Sequence, residues 1–193
     1  MRPVRGRPFR ADRPCDRGPR PRRGAPPPAV PLPSDDVDGR VGERVGLLLH
    51  VEDLAPESLL AEHPSLAPLI RAAAVAADPG QRSPAEVSPA VAALTAGAVA
   101  DAVSRTTGAT VLDSVEPSAV LDWAGAADLD TVVVPYAPIG PVRERLELLR
   151  TSLGAEAVAL VTVRRRWDGR AWPHASRGFF PFRERIPGLV RGR

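Results

Sequence analysis

Apolar and polar positions alternate between two regimes along this chain. Short continuous apolar runs are separated by stretches in which apolar residues recur every three or four positions. The clearest case is Thr131 to Arg150. Thr131-Val132-Val133-Val134 is a β-branched run of the kind a strand needs when both faces are buried. A turn follows at Pro135-Tyr136-Ala137-Pro138-Ile139-Gly140-Pro141, and Val142, Leu146, Leu149 and Leu153 then fall on one helical face. Pro141 suits a first helical position, where its missing N–H costs no hydrogen bond. Strand, tight turn and amphipathic helix make half of a βαβ unit.

The same alternation fills residues 40–166. Val45-Gly-Leu-Leu-Leu-His50-Val51 reads as a buried first strand that empties into Glu52-Asp53 and a Pro-Glu-Ser turn. Leu69 to Ala77 is a second strand, although its alanines equally suit a helix. Ser88 and Pro89 open a helix as N-cap and first residue, with Val91, Leu94, Ala98, Val99 and Ala102 as the expected buried face and Gly108 as the stop. Thr110–Leu112 is a third strand. Pro117–Ala127 is a helix carrying Val120, Leu121 and Trp123, and Ala157–Val163 is a fifth strand. Strands separated by helical segments predict an α/β fold: an open, mostly parallel five-stranded Rossmann-like sheet with helices on both faces.

Two flanking segments break the pattern. Residues 1–39 hold ten of the 23 prolines and no hydrophobic periodicity, so a disordered Pro/Arg-rich arm is expected there. Residues 167–193 hold two of the three Trp and three of the four Phe. For this tail the expected arrangement is a clasp, with rings buried on the domain and arginines in solvent, because large aromatics stabilise mainly by burying area. The other arrangement presents Trp172, Phe179, Phe180 and Phe182, interleaved with Arg170, Arg177, Arg183 and Arg185, to bases and phosphates.

Charge sharpens this division. Residues 1–23 carry nine Arg and two Asp, net +7; residues 24–163 carry eight Arg and nineteen carboxylates, net −11; residues 164–193 carry nine Arg and two carboxylates, net +7. An acidic body with basic ends results, and the overall basicity is not by itself a nucleic-acid signature. The chain has no Lys and no Asn, as a GC-rich coding bias produces. Cys15 stands alone, which excludes a disulfide framework and a Cys-based metal site. No apolar run reaches membrane-spanning length and the Arg-rich start has no hydrophobic centre, so a cytoplasmic protein without a membrane partner is expected.

Ligands of open α/β sheets sit beyond the carboxyl ends of the strands. Asp53, Asp113, Tyr136 and Gly140 are therefore the candidate cofactor-binding positions, although no GxGxxG or GxxxxGK[ST] loop accompanies them. A plain βα turn is the competing reading at Tyr136–Gly140. His50, Glu52 and Asp53 are metal-ligand types with no second His at a ligand spacing, so a solvated loop is expected and no metal. No nucleophile elbow or triad spacing is present, and no catalytic residue is assigned.

In the tail, Gly178-Phe179-Phe180-Pro181-Phe182-Arg183 resembles the FTPF signature that closes the α/β (antenna) domain of DNA photolyases and cryptochromes, with Phe180 standing at the Thr position. Leu47–Leu54, Asp78-Pro79, Glu116–Leu121 and Val132–Pro138 follow the order of that domain's strands, turns and helices. Residues 45–190 are similar to the C-terminal region of bacterial FAD-binding photolyase-like proteins, in which a helical flavin domain comes first; Arg5–Phe9 resembles the end of that domain. The resemblance implies an antenna-like domain without catalysis of its own, part of a light-driven DNA-repair flavoprotein. FAD and DNA would then be met only through a helical flavin domain, which this chain lacks. Trp167, Trp172, His174, Arg177 and Phe180 are the residues expected to dock on it, and the three Trp are not read as an electron-transfer chain. Two alternatives stay open: a stand-alone nucleotide- or anion-binding α/β module, and a fragment whose Pro/Arg-rich start is read in the wrong place or frame.

Overall fold

In the computed structural model, five parallel strands form one sheet in the order β3-β2-β1-β4-β5. The structure describes residues 40–78, 80 and 86–191. The strands are β1 (Val45–His50), β2 (Ile70–Ala76), β3 (Thr110–Leu112), β4 (Thr131–Pro135) and β5 (Ala159–Val163). The helices are α1 (Pro56–Glu62), α2 (Pro89–Arg105), α3 (Pro117–Ala126), α4 (Pro141–Ala155), α5 (Arg166–Ala171) and α6 (Phe179–Arg191), with a 3₁₀ segment at Trp172–Arg177. The expected Rossmann-like α/β architecture is present. The Pro/Arg-rich arm expected over residues 1–39 lies outside the described residues.

Alternation along the strands supplies two cores. Val45, Leu47 and Leu49 of β1, with Val75, Val133 and Val161, face Leu59 of α1 and Ala102 of α2. Leu48, Ala74, Val132, Val134 and Leu160 face Trp123 of α3 and Leu146, Leu149 and Leu153 of α4. Strands buried on both faces are why β1 and β4 read as unbroken apolar runs. Gly46 is the exception on β1: a Cβ there would stand 2.4 Å from Leu129 Cδ1 and 2.5 Å from Trp123 Cη2, so only a hydrogen fits beneath the indole.

At the amino ends of β1 and β4, the Asp130 carboxylate accepts hydrogen bonds from the backbone N–H groups of Glu43 and Arg44 and from the Thr131 hydroxyl. Burial alone would raise its pKa. Those donors outweigh burial and hold it below the usual carboxylate value.

Several expectations need correction. The α2 face is as expected only in part: Ala102 is buried and Val99 half-buried, but Val91, Leu94 and Ala98 are exposed and Thr95 is buried in their place. The helix stops at Arg105, and Gly108 lies in the following turn with φ +69°. Where a Pro-Glu-Ser turn was expected, Pro56 instead starts α1. The tail is helical, and its clasp is not formed as expected: Phe179 and Phe180 are 64% and 70% exposed, and no residue of α6 is buried.

Candidate functional site

The strand order reverses between β1 and β4, because the chain leaves β1 toward β2 and β3 and returns on its other side. At such a switch point the loops beyond two neighbouring strands part and leave a crevice. Here it has a volume of about 440 Å³. Its floor comes from Glu52 and Asp53 after β1, Tyr136 and Pro138 after β4, and Arg164 after β5. Its outer wall is the tail: Trp167 and Asp168 of α5, Trp172 of the 3₁₀ segment, and Phe182 of α6.

The floor is held by two polar links. His50 is fully buried, not part of a solvated loop. The Glu52 N–H donates to its Nδ1 at 3.3 Å, so the ring proton is on Nε2, which donates to the Pro135 carbonyl at 2.8 Å. This neutral tautomer ties the end of β1 to the end of β4. Burial pushes the imidazole pKa below its ordinary value, against the pull of the Pro135 carbonyl and of Asp53 and Glu52.

The second link is Asp53 with Arg165. Arg165 donates through Nε to Asp53 Oδ2 at 2.9 Å and through Nη2 to Oδ1 at 2.7 Å, and Nη2 also reaches the Ala55 carbonyl at 2.7 Å. Both side chains are 17% exposed. The Asp53 carboxylate therefore spends its capacity on a bidentate pair that fastens the β1–α1 turn to the start of α5. Nearby, Glu62 accepts the Arg166 N–H at 2.6 Å, and a hydrogen bond of 3.2 Å joins His63 Nε2 to the Arg164 carbonyl. Asp168 has its pKa raised by burial first and by the neighbouring Asp53 and Glu62 charges, against Arg165 and Arg164.

Of the four candidate cofactor positions, Asp53 and Tyr136 line the crevice. Gly140 is the N-cap of α4, outside the crevice lining, and Asp113 is exposed beyond the edge strand β3. Arg143 lies over the Tyr136 ring at 5.5 Å and donates to its hydroxyl at 3.1 Å, so one face of that ring is already covered. Among the five candidate docking residues, Trp167 and Trp172 wall the crevice while 38% and 41% exposed. His174 is exposed on the 3₁₀ segment that Arg177 ends, and Phe180 points away into solvent. Sequence reasoning missed Asp168 as a crevice residue and Arg165 as the partner of Asp53; the run Arg164-Arg165-Arg166 at a strand end was the available signal.

Among the described residues no cluster of His, Cys, Asp and Glu is arranged to hold a metal, and no helix is long and apolar enough to cross a membrane. The crevice thus offers ring faces, hydrogen-bond acceptors and one buried guanidinium, with no nucleophile beside a base. Compared with protein-family models, with curated proteins and with solved structures, the chain matches none.

Proposed function

We propose that this chain is a non-catalytic α/β module of the photolyase/cryptochrome kind that holds a planar aromatic molecule in the switch-point crevice. In that role it would serve a light-driven DNA-repair flavoprotein whose FAD belongs to a separate helical flavin domain. One observation carries the reading. The segment that resembles the FTPF signature, Phe179–Phe182, is also the segment that completes the crevice through Phe182. Trp167, Trp172 and Phe182 supply apolar faces for a flat ring system, while Glu52 and Asp168 supply acceptors at its edge.

A stand-alone nucleotide- or anion-binding module draws less support. Among the described residues the crevice lining sets Glu52 and Asp168 against the guanidinium of Arg164, Asp53 being taken up by Arg165, and Pro141 removes a donor from the start of α4.

Titration of the full-length chain with riboflavin tests the proposal. Quenching of flavin fluorescence with a micromolar Kd, lost in Trp172→Ala, is the expected result. No quenching at hundreds of micromolar would refute the crevice reading, and micromolar binding of ATP in its place would favour the nucleotide module. The coding DNA upstream of Met1 bears on kinship: a helical flavin domain in any frame supports it, and its absence from the genome argues against it.

A further inference from the structure

Outside the crevice, the most unusual surface is the outer side of α6 and the 3₁₀ segment it packs on. Phe179 and Phe180 meet edge to face with centroids 5.7 Å apart, both exposed, and Arg183 lies over the Phe180 ring at 5.8 Å. Arg183 and Glu184, three and four residues on, are the charged neighbours of Phe180, and Arg191 lies on the same side farther along α6. α6 itself carries three Arg against one Glu, net +2, beside a body that is net −11 over residues 24–163.

A ligand for this surface needs flat unpaired π-faces and closely spaced negative charge. A second copy meeting this face with its own would bring rings, but would set Arg183 near Arg183 with only Glu184 of α6 to offset the repulsion. A bilayer would need a continuous apolar stripe, and Arg183 interrupts the stripe between Phe179 and Ile186. We infer that the α6 face binds single-stranded nucleic acid, with bases stacking on Phe179 and Phe180 and phosphates meeting Arg183 and Arg191. Duplex is disfavoured because its bases are already stacked on one another.

The test uses the full-length chain and a fluorescein-labelled oligothymidylate of about 20 nucleotides, followed by anisotropy. Expected is a micromolar or tighter Kd at low salt, with weaker binding to the same length of duplex. Phe180→Ala, which does not touch the crevice, should weaken binding about 5- to 150-fold with the salt dependence unchanged. Arg183→Ala and Arg191→Ala should each lower the slope of log K against log salt by about 0.7. Three results would overturn the inference: no binding at 100 micromolar protein, affinity unaltered by Phe180→Ala (which would assign the oligonucleotide to the nine arginines of residues 1–23), or equal affinity for duplex. Binding only to vesicles of anionic lipid, or a dimer lost in Phe180→Ala without oligonucleotide binding, would reassign the face. Because the riboflavin titration reads other residues, either result can fail alone.

Discussion

Asp53→Asn isolates the pair that holds the crevice floor. Asn keeps an oxygen where Asp53 Oδ1 accepts the Ala55 N–H at 3.1 Å, so the turn after β1 can survive. What is lost is the charge, and with it the acceptor for Arg165 Nε, which would then face an amide N–H group. The Arg165 guanidinium would remain beside the Ala55 carbonyl with its counter-charge gone. Breaking a fully buried pair from one side costs about 3–5 kcal/mol. Both partners here keep 17% exposure, so water relieves part of that and about 2–3 kcal/mol is the expected loss. Urea unfolding followed by far-ultraviolet circular dichroism measures it. With a slope of about 2 kcal/mol/M, the midpoint should fall by roughly 1–1.5 M. Arg165→Met and the double variant complete a cycle, whose coupling energy should be about 1.5–3 kcal/mol. A loss below about 0.5 kcal/mol in Asp53→Asn, with coupling equally small, would refute the clamp and return Asp53 to the ligand-binding candidates.

Three other outcomes are expected. His50 is neutral when folded and its pKa lies below the ordinary 6.5, so the unfolded chain takes up a proton first as pH falls; stability contributed by His50 is full above about pH 6.5 and declines below it, and His50→Gln should flatten that decline in urea midpoints measured from pH 7.5 to 5. Gly46→Ala should lower stability by about 1–3 kcal/mol because its methyl meets Leu129 and the Trp123 ring, whereas Gly97→Ala, on a helix with open space, should raise it by about 0.5–1 kcal/mol; equal midpoints for the two would contradict the crowding. Phe180→Ala should change stability by less than about 0.5 kcal/mol, since its ring is 70% exposed; a loss of 3 kcal/mol or more would restore the clasp.

What could be read from the sequence follows from what each element buries. β1 and β4 are sandwiched between helices, so their apolar runs and the amphipathic α4 were plain, down to Val142, Leu146, Leu149 and Leu153 on the buried face. α2 is legible from Ser88, whose side chain accepts the Val91 N–H, but of its expected buried face only Val99 and Ala102 lie inward. Alanines surround that helix, so no stripe stands out, and packing turned Thr95 inward with its hydroxyl bonded to the Val91 carbonyl at 2.9 Å. α1 escaped notice because seven residues opening with proline look like a turn. Burial of the tail rings is expected from the average behaviour of aromatics, yet among the described residues nothing covers the outer side of α6. The site was legible as strand ends and no further: Asp53 and Arg165 are 112 positions apart, and only the fold makes them partners.

The two sides of the crevice differ in how they are built, and this bears on what it can hold. Four consecutive residues at the end of β1, His50 to Asp53, fix the floor twice, with His50 reaching β4 and Asp53 reaching the start of α5, so that side needs no ordering when a ligand arrives. The outer wall is less secure. α6 buries no residue completely, and Arg170 donating to the Leu189 carbonyl at 2.9 Å is one of its few polar ties to α5. Segments with little buried apolar area open at low free energy. A rigid polar floor under a yielding aromatic wall favours ligands selected by their polar edge, with thickness set by how far Trp172 and Phe182 move, and it places the exposed ring face of α6 on the part of the molecule best able to adjust.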